Sequence, residues 1–208
     1  MIIEPRVESY ISSLQPKPDA VLAEIEALAE KRSFPIVGRQ AGILLGMLAR
    51  VMGARRVLEL GSGFGYSALW FARAIPADGK VICTDLSRDN RELAMGYFRT
   101  AGVEARVEFL VGDALQIARG LSGTFDIIFN DIDKEYYPES VETAVRLLRT
   151  GGLFITDNAL WDGKVADDDV NDATTEGVRS FNRIIFSRPE LESIILPVHD
   201  GLAVCRKR

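Results

Sequence analysis

The stretch VLELGSGFGYSALWFA, residues 57–72, decides the fold. A short apolar run carrying Glu59 comes first, Gly61, Gly63 and Gly65 follow at every second position, and an apolar helical pattern begins at once. A strand, a glycine turn and a helix start in one window form the opening unit of a doubly wound α/β sheet. Glycines at such a turn let the chain fold back tightly and let a ligand approach the main chain. The window therefore predicts a site for a nucleoside-containing cofactor, without naming the cofactor.

Working outward, short apolar runs recur at residues 81–84, 107–111, 125–129 and 153–156, and the longer segments between them read mostly as helices. Pro138 fits the first turn of one helix and Gly151-Gly152 its end. This alternation predicts a mostly parallel sheet with helices on both faces. The last segment differs: runs at 193–197 and 202–205 are joined by His199-Asp200-Gly201, and Asp-Gly is a hairpin signal. An antiparallel pair is expected on one edge, giving seven strands in all. Before residue 57, Asp19 can cap a helix carrying Ala20, Val21, Ile25 and Leu28, residues 33–38 break the pattern, and residues 42–52 resume it. The expectation is one domain over residues 1–208, with 1–53 as a helical segment packed on the sheet.

With a net charge of −5, the chain lacks the electrostatics for nucleic acid or an anionic membrane. Arg50, Arg55 and Arg56 read as solvated surface near a helix end. Cys83 and Cys205 match no zinc or redox spacing and suit a reducing compartment. No apolar run is long enough to span a bilayer. Residues 1–14 carry Glu4 and Glu8 without an apolar core, so no signal peptide is expected and the cytoplasm is the expected location.

An acid stands at or just past each parallel strand: Glu59, Asp85, Asp113, Asp131 and Asp157. In a doubly wound sheet these ends share one rim, and ligands bind in the crevice beyond it. One such acid commonly just caps the next helix, and Asp113 can be read that way. The full set would repel itself unless hydroxyls or cations occupy the rim. Asp85, twenty residues past Gly65, is placed to accept from both ribose hydroxyls, and Asp113 to reach the base. Asp131, Asp157 and the amide oxygen of Asn158 form a hard oxygen set across the switch point, suited to Mg²⁺ rather than zinc.

The spacing Gly61-x-Gly63-x-Gly65 places the third glycine one residue early for a dinucleotide fingerprint, and no P-loop is present. Together with Glu59 and Asp85 it resembles the S-adenosylmethionine site of class I methyltransferases. Residues 129–137 (FNDIDKEYY) and 155–165 (ITDNALWDGKV), with FNRII and LPVHDGLAVCRKR near the end, resemble the catechol and caffeoyl-CoA O-methyltransferase family. That resemblance implies that Glu59, Gly61, Gly63, Tyr66 and Ser67 line the methionine and ribose portions of S-adenosylmethionine, with Asp85 on the ribose and Asp113 on the adenine side. It implies that Asp131, which also borders the cofactor, joins Asp157 and Asn158 in holding a divalent cation. Lys134 matches the family's general base, and Trp161 walls the pocket of a small aromatic acceptor. A homodimer is implied as well. Asn130 departs from the family's usual apolar residue, and Gly38-Arg39-Gln40 from its Ser-Pro-Glu type of segment.

The implied activity is metal-dependent methyl transfer to a hydroxyl of a catechol-like molecule. The rivals are a metal-independent methyltransferase of the same fold, a non-catalytic cofactor-binding protein and, third, an NAD oxidoreductase. His199, the sole histidine, reads as a surface turn residue, so no histidine triad is available. Asp167-Asp168-Asp169 reads as a solvated loop. Tyr136 and Tyr137 are candidates for stacking on an acceptor or for the core.

Overall fold

The structure is a computed structural model that describes residues 4–208. Three helices lead in: α1 (Pro5–Leu14), α2 (Ala20–Arg32) and α3 (Gly38–Val51). The alternating part follows as β1 (Arg56–Leu60), α4 (Tyr66–Ala74), β2 (Lys80–Asp85), α5 (Arg88–Thr100), β3 (Val107–Val111), α6 (Ala114–Gly120), β4 (Phe125–Asn130), α7 (Tyr137–Leu147) and β5 (Leu148–Thr156). After α8 (Ala173–Ser187), the chain ends in β6 (Leu191–Leu196) and β7 (Leu202–Lys207).

The strands form a seven-stranded sheet in the order β3-β2-β1-β4-β5-β7-β6. The first five run parallel, while β7 pairs antiparallel with both β5 and β6. The expected terminal hairpin is present at one edge. The strand order reverses between β1 and β4, and that switch point is where a doubly wound sheet opens a crevice.

The central strands are apolar on both sides because both sides are covered, whereas the edge strands β3 and β6 leave Glu108, Val111, Glu192 and Ile194 exposed. Val57, Val81, Cys83, Ile127, Phe129 and Ile155 face a core shared with α2 to α5. Leu58, Leu60, Ile82, Ile128 and Phe154 alternate into a second core against α6, α7 and α8. Of the three leading helices, α2 and α3 join the first core through Val21, Leu22, Ile25, Ala41 and Leu45, whereas α1 buries no residue, so the expected packing of the N-terminal segment holds only from α2 onward. Helix α2 starts where expected, because the Asp19 carboxylate accepts from the Val21 and Leu22 N–H groups at 3.0 and 3.1 Å.

The Gly151-Gly152 expectation is corrected. Helix α7 does begin around Pro138, but it ends at Leu147, and both glycines lie inside β5. Extended backbone from Leu148 is what lets β5 pair with Phe125 of β4 before a register shift, and a longer helix would forfeit that ladder. Among the described residues no helix is long and apolar enough to cross a membrane.

Candidate active site

The acids reach one rim because the parallel ladder continues past the strands. The Asp131 N–H donates to the Leu60 carbonyl at 2.8 Å, and the Asp157 N–H to the Asn130 carbonyl at 3.2 Å. Asp131 and Asp157 are thereby set at the ends of adjacent strands, roughly one inter-strand spacing of about 4.8 Å apart along the rim. Gly61 closes the gap from the other side. Its φ is +81°, and a Cβ there would stand 2.5 Å from the Asp131 carbonyl oxygen. Only glycine allows the cofactor turn to lie against the backbone of Asp131.

On the cofactor side, Glu59 is fully buried at the end of β1. Burial raises its pKa to about 7, against smaller opposing effects of Ser62, Ser67 and Cys83, while the Asp131 charge adds to the rise. Ser62 and Ser67 approach the carboxyl, yet neither oxygen completes a hydrogen bond within 3.5 Å. A buried carboxyl with no firm partner is the kind of group a bound ligand completes. Tyr66 and Ser67 open α4 and are nearly buried. The Tyr66 hydroxyl donates to Glu26 at 2.7 Å, and its pKa is raised, first by burial and then by that carboxylate. Asp85 accepts from the Gly63 N–H at 2.9 Å, the Ser87 N–H at 2.8 Å and the Asn90 amide at 3.0 Å. It therefore ties the glycine turn to the start of α5, with lone pairs left to meet hydroxyls. Asp113 is exposed and caps α6 through the Gln116 N–H at 2.7 Å.

Across the switch point, the Lys134 Nζ lies 2.9 Å from Asp131 Oδ1 in a largely buried ion pair. Burial and the neighbouring Asp157 raise the Asp131 pKa, while Lys134 opposes the rise. The same ammonium lies 5.1 Å from the Tyr137 ring centre and 5.6 Å from that of Trp161. Tyr137 is core and its hydroxyl donates to the Asp157 carbonyl at 3.0 Å, whereas Tyr136 is half exposed. From Asn158 the chain enters an unusual segment in which Asn158, Trp161, Asp162 and Gly163 all have positive φ. Left-handed non-glycine residues concentrated in one loop are strained and gather at functional sites. Asp167, Asp168 and Asp169 are exposed in the loop that follows.

The donor set fits a hard divalent cation. Among the described residues no three Asp, Glu, His or Cys side chains converge to hold an ion by themselves. The Asn158 amide oxygen is the candidate third donor, its NH₂ being turned to Asp200 at 3.2 Å. Two carboxylates and an amide, with open positions for water and acceptor oxygens, match the incomplete protein cage that Mg²⁺ accepts. A positive charge is also what buried Asp131 beside Asp157 needs, and the Lys134 ammonium supplies one to Asp131.

A cavity of about 710 Å³ is bordered by Tyr66 and Asn158, while Glu59, Asp85, Asp131, Lys134 and Asp157 do not line it. Its walls include Tyr66 and Glu26 on one side, Asn158 and Asp200 on the other, and Gly38, Arg39 and His199 between them. Arg39 holds Glu26 bidentately, at 3.2 and 2.5 Å, in a half-buried pair. Trp161 lies outside this lining, under Lys134 and Lys164. Asn130 is fully buried beside Thr156 on the α7–α8 face, and its side-chain amide finds no partner among the described residues.

Sequence reasoning missed Glu26, Arg39 and the working partner of His199. His199 does occupy a turn, and 34% of its side chain is exposed, but its Nδ1 lies 3.2 Å from the Asp157 carboxylate. Burial works against its charged form, yet Asp157, followed by Asp200 and Asp131, outweighs that and raises its pKa. The only hint in the sequence was the departure at Gly38-Arg39-Gln40, which lines the same cavity.

Comparison with known proteins agrees with this geometry. The sequence profile described as O-methyltransferase matches residues 12–208. A catechol O-methyltransferase of Niastella koreensis is 35% identical, covering 95% of each chain. Caffeoyl-CoA O-methyltransferase 2 of Populus trichocarpa is 33% identical over 94% of this chain and 85% of its own. The crystal structure of an O-methyltransferase from Bacillus cereus in complex with SAH superposes with a TM-score of 0.88 at 30% identity, covering 98% of this chain and 97% of that one. TomG from Streptomyces achromogenes, solved in complex with SAM, gives 0.86 at 34% identity, covering 97% and 96%. With its glycine turn, acid-lined rim and sheet order, this chain belongs to the O-methyltransferase family, the class I enzymes that depend on S-adenosylmethionine.

Proposed function

We propose that this enzyme transfers a methyl group from S-adenosylmethionine to one hydroxyl of an aromatic acceptor bearing vicinal oxygens, with a divalent cation held by Asp131, Asp157 and Asn158. The observation that carries the reading is the pairing of Asp131 and Asp157 on adjacent strand ends with Lys134 against Asp131. The relatives named as catechol and caffeoyl-CoA O-methyltransferases support the acceptor class.

The chain's own residues divide the work. Glu59, Tyr66, Ser67 and Asp85 line the position for the donor, whose sulfonium supplies an electrophilic methyl. A cation held by Asp131, Asp157 and Asn158 would supply charge that favours an ionised phenol, whose ordinary pKa is about 10. Lys134, once it is a free amine, accepts the acceptor's hydroxyl proton. A donor and an acceptor bound side by side along the rim would react in line, and holding two reactants so can remove several kcal/mol of the barrier. A panel of aromatic acceptors with labelled methyl donor tests the reading. Vicinal diols should be methylated and their single-hydroxyl analogues should not, whereas equal transfer to both would overturn it.

A further inference from the structure

Asp157 is almost fully buried, and a buried carboxylate needs donors to stay ionised and fixed in direction. The side chain that reaches it is His199, from the turn between β6 and β7, with Nδ1 at 3.2 Å. An ionised carboxylate only accepts hydrogen bonds, so the proton in this contact is on Nδ1.

Two backbone features hold the imidazole there. His199 has φ of +56°, a left-handed conformation that few side chains adopt without strain. Opposite it, Gly38 opens α3 with φ of +69°, and a Cβ at that position would stand 3.4 Å from the imidazole Cδ2. Gly38 thus lies within ordinary van der Waals reach of the ring. The rest of the turn grips the same segment. The Asp200 carboxylate accepts from the Asn158 amide at 3.2 Å and the Asp162 N–H at 2.6 Å. The carbonyls of Asp200 and Gly201 accept from Leu160 and Ala159 at 3.0 and 2.8 Å.

We propose that His199 is a positioning residue for the cation site, donating from Nδ1 to aim the Asp157 carboxylate while the Asp200 carboxylate orients the Asn158 amide. The proposal rests on the reading of Asp131, Asp157 and Asn158 as cation donors. Groups that hydrogen-bond metal ligands fix the orientation of those ligands, and their loss typically weakens metal binding by about 10- to 100-fold.

The left-handed backbone gives a test that separates positioning from packing. His199→Gly removes the ring at a position whose φ suits glycine, so the fold should be retained or stabilised. His199→Asn tolerates the same φ and keeps an N–H donor near the place of Nδ1. Calorimetric titration with Mg²⁺ of the protein bearing S-adenosylmethionine should show affinity lowered about 10- to 100-fold in His199→Gly and largely kept in His199→Asn. Melting temperature and cofactor affinity should be maintained in both. Wild-type Mg²⁺ affinity in His199→Gly, or an equal loss in His199→Asn, overturns the positioning role alone. A wild-type protein that binds no Mg²⁺ overturns the cation reading and this inference with it.

Discussion

Lys134 and Glu59 carry the sharpest consequences at the scale of single residues. The Lys134 ammonium is held by Asp131 and lies over two aromatic rings, a setting that fixes its direction. In the proposed role of accepting the hydroxyl proton as a free amine, it would account for a factor of about 10²–10⁴ in rate. Lys134→Ala should therefore lower kcat by about that factor in a steady-state assay while cofactor affinity holds. Lys134→Arg keeps the charge but cannot give up its proton, so it should fail equally. Glu59 predicts a pH effect on the unliganded enzyme. Its pKa rises from 4.5 to about 7 on folding, because burial disfavours the charged form. Between those values the folded chain holds a proton that the unfolded chain has released. Its contribution to stability accordingly falls as pH rises through that window and stays low above it, a loss on the order of 3 kcal/mol. Urea unfolding of Glu59→Gln should show this part of the slope removed and higher stability than wild type above about pH 7, with weaker S-adenosylmethionine binding. Glu59 was legible in the sequence because a strand end is a local feature. The Asp157 partnership of His199 was not, because it spans 42 residues and depends on a turn folding back over the rim.

Among the elements, the β1–α4 turn and the end of β4 act as one piece. Gly61 lies against the Asp131 carbonyl, so the glycine turn and the proposed cation site share a backbone contact. Gly61→Ala introduces a Cβ at positive φ into that contact and should destabilise the fold by about 1–3 kcal/mol. It should also weaken binding of both S-adenosylmethionine and Mg²⁺ in calorimetry, whereas a change at an independent cofactor loop would weaken only the first. The strand runs were readable because apolar residues buried on two faces leave continuous signals. The end of α7 was not, because Gly151-Gly152 suits a helix stop as well as a bulged strand. The pairing of Leu148 with Phe125, a non-local contact, decides between them. Asp113 shows the same limit: its capping bond to Gln116 is local and visible, and any contact with a base lies beyond what spacing can say.

For the whole molecule, the order of the strands explains how one crevice would serve the two ligands proposed. The reversal between β1 and β4 opens the rim, the glycine turn lies on the β1 side, and Asp131 and Asp157 lie on the β4 and β5 side. The terminal hairpin then brings His199 and Asp200 back over the rim from the far edge of the sheet. Such an arrangement makes cation and donor neighbours by topology, and the central claim is that transfer requires both. The most direct measurement is methyl transfer from labelled S-adenosylmethionine to a catechol by chelator-treated enzyme, before and after Mg²⁺ is restored. Transfer should be lost on chelation and recovered with Mg²⁺; undiminished transfer in the chelator would contradict the account.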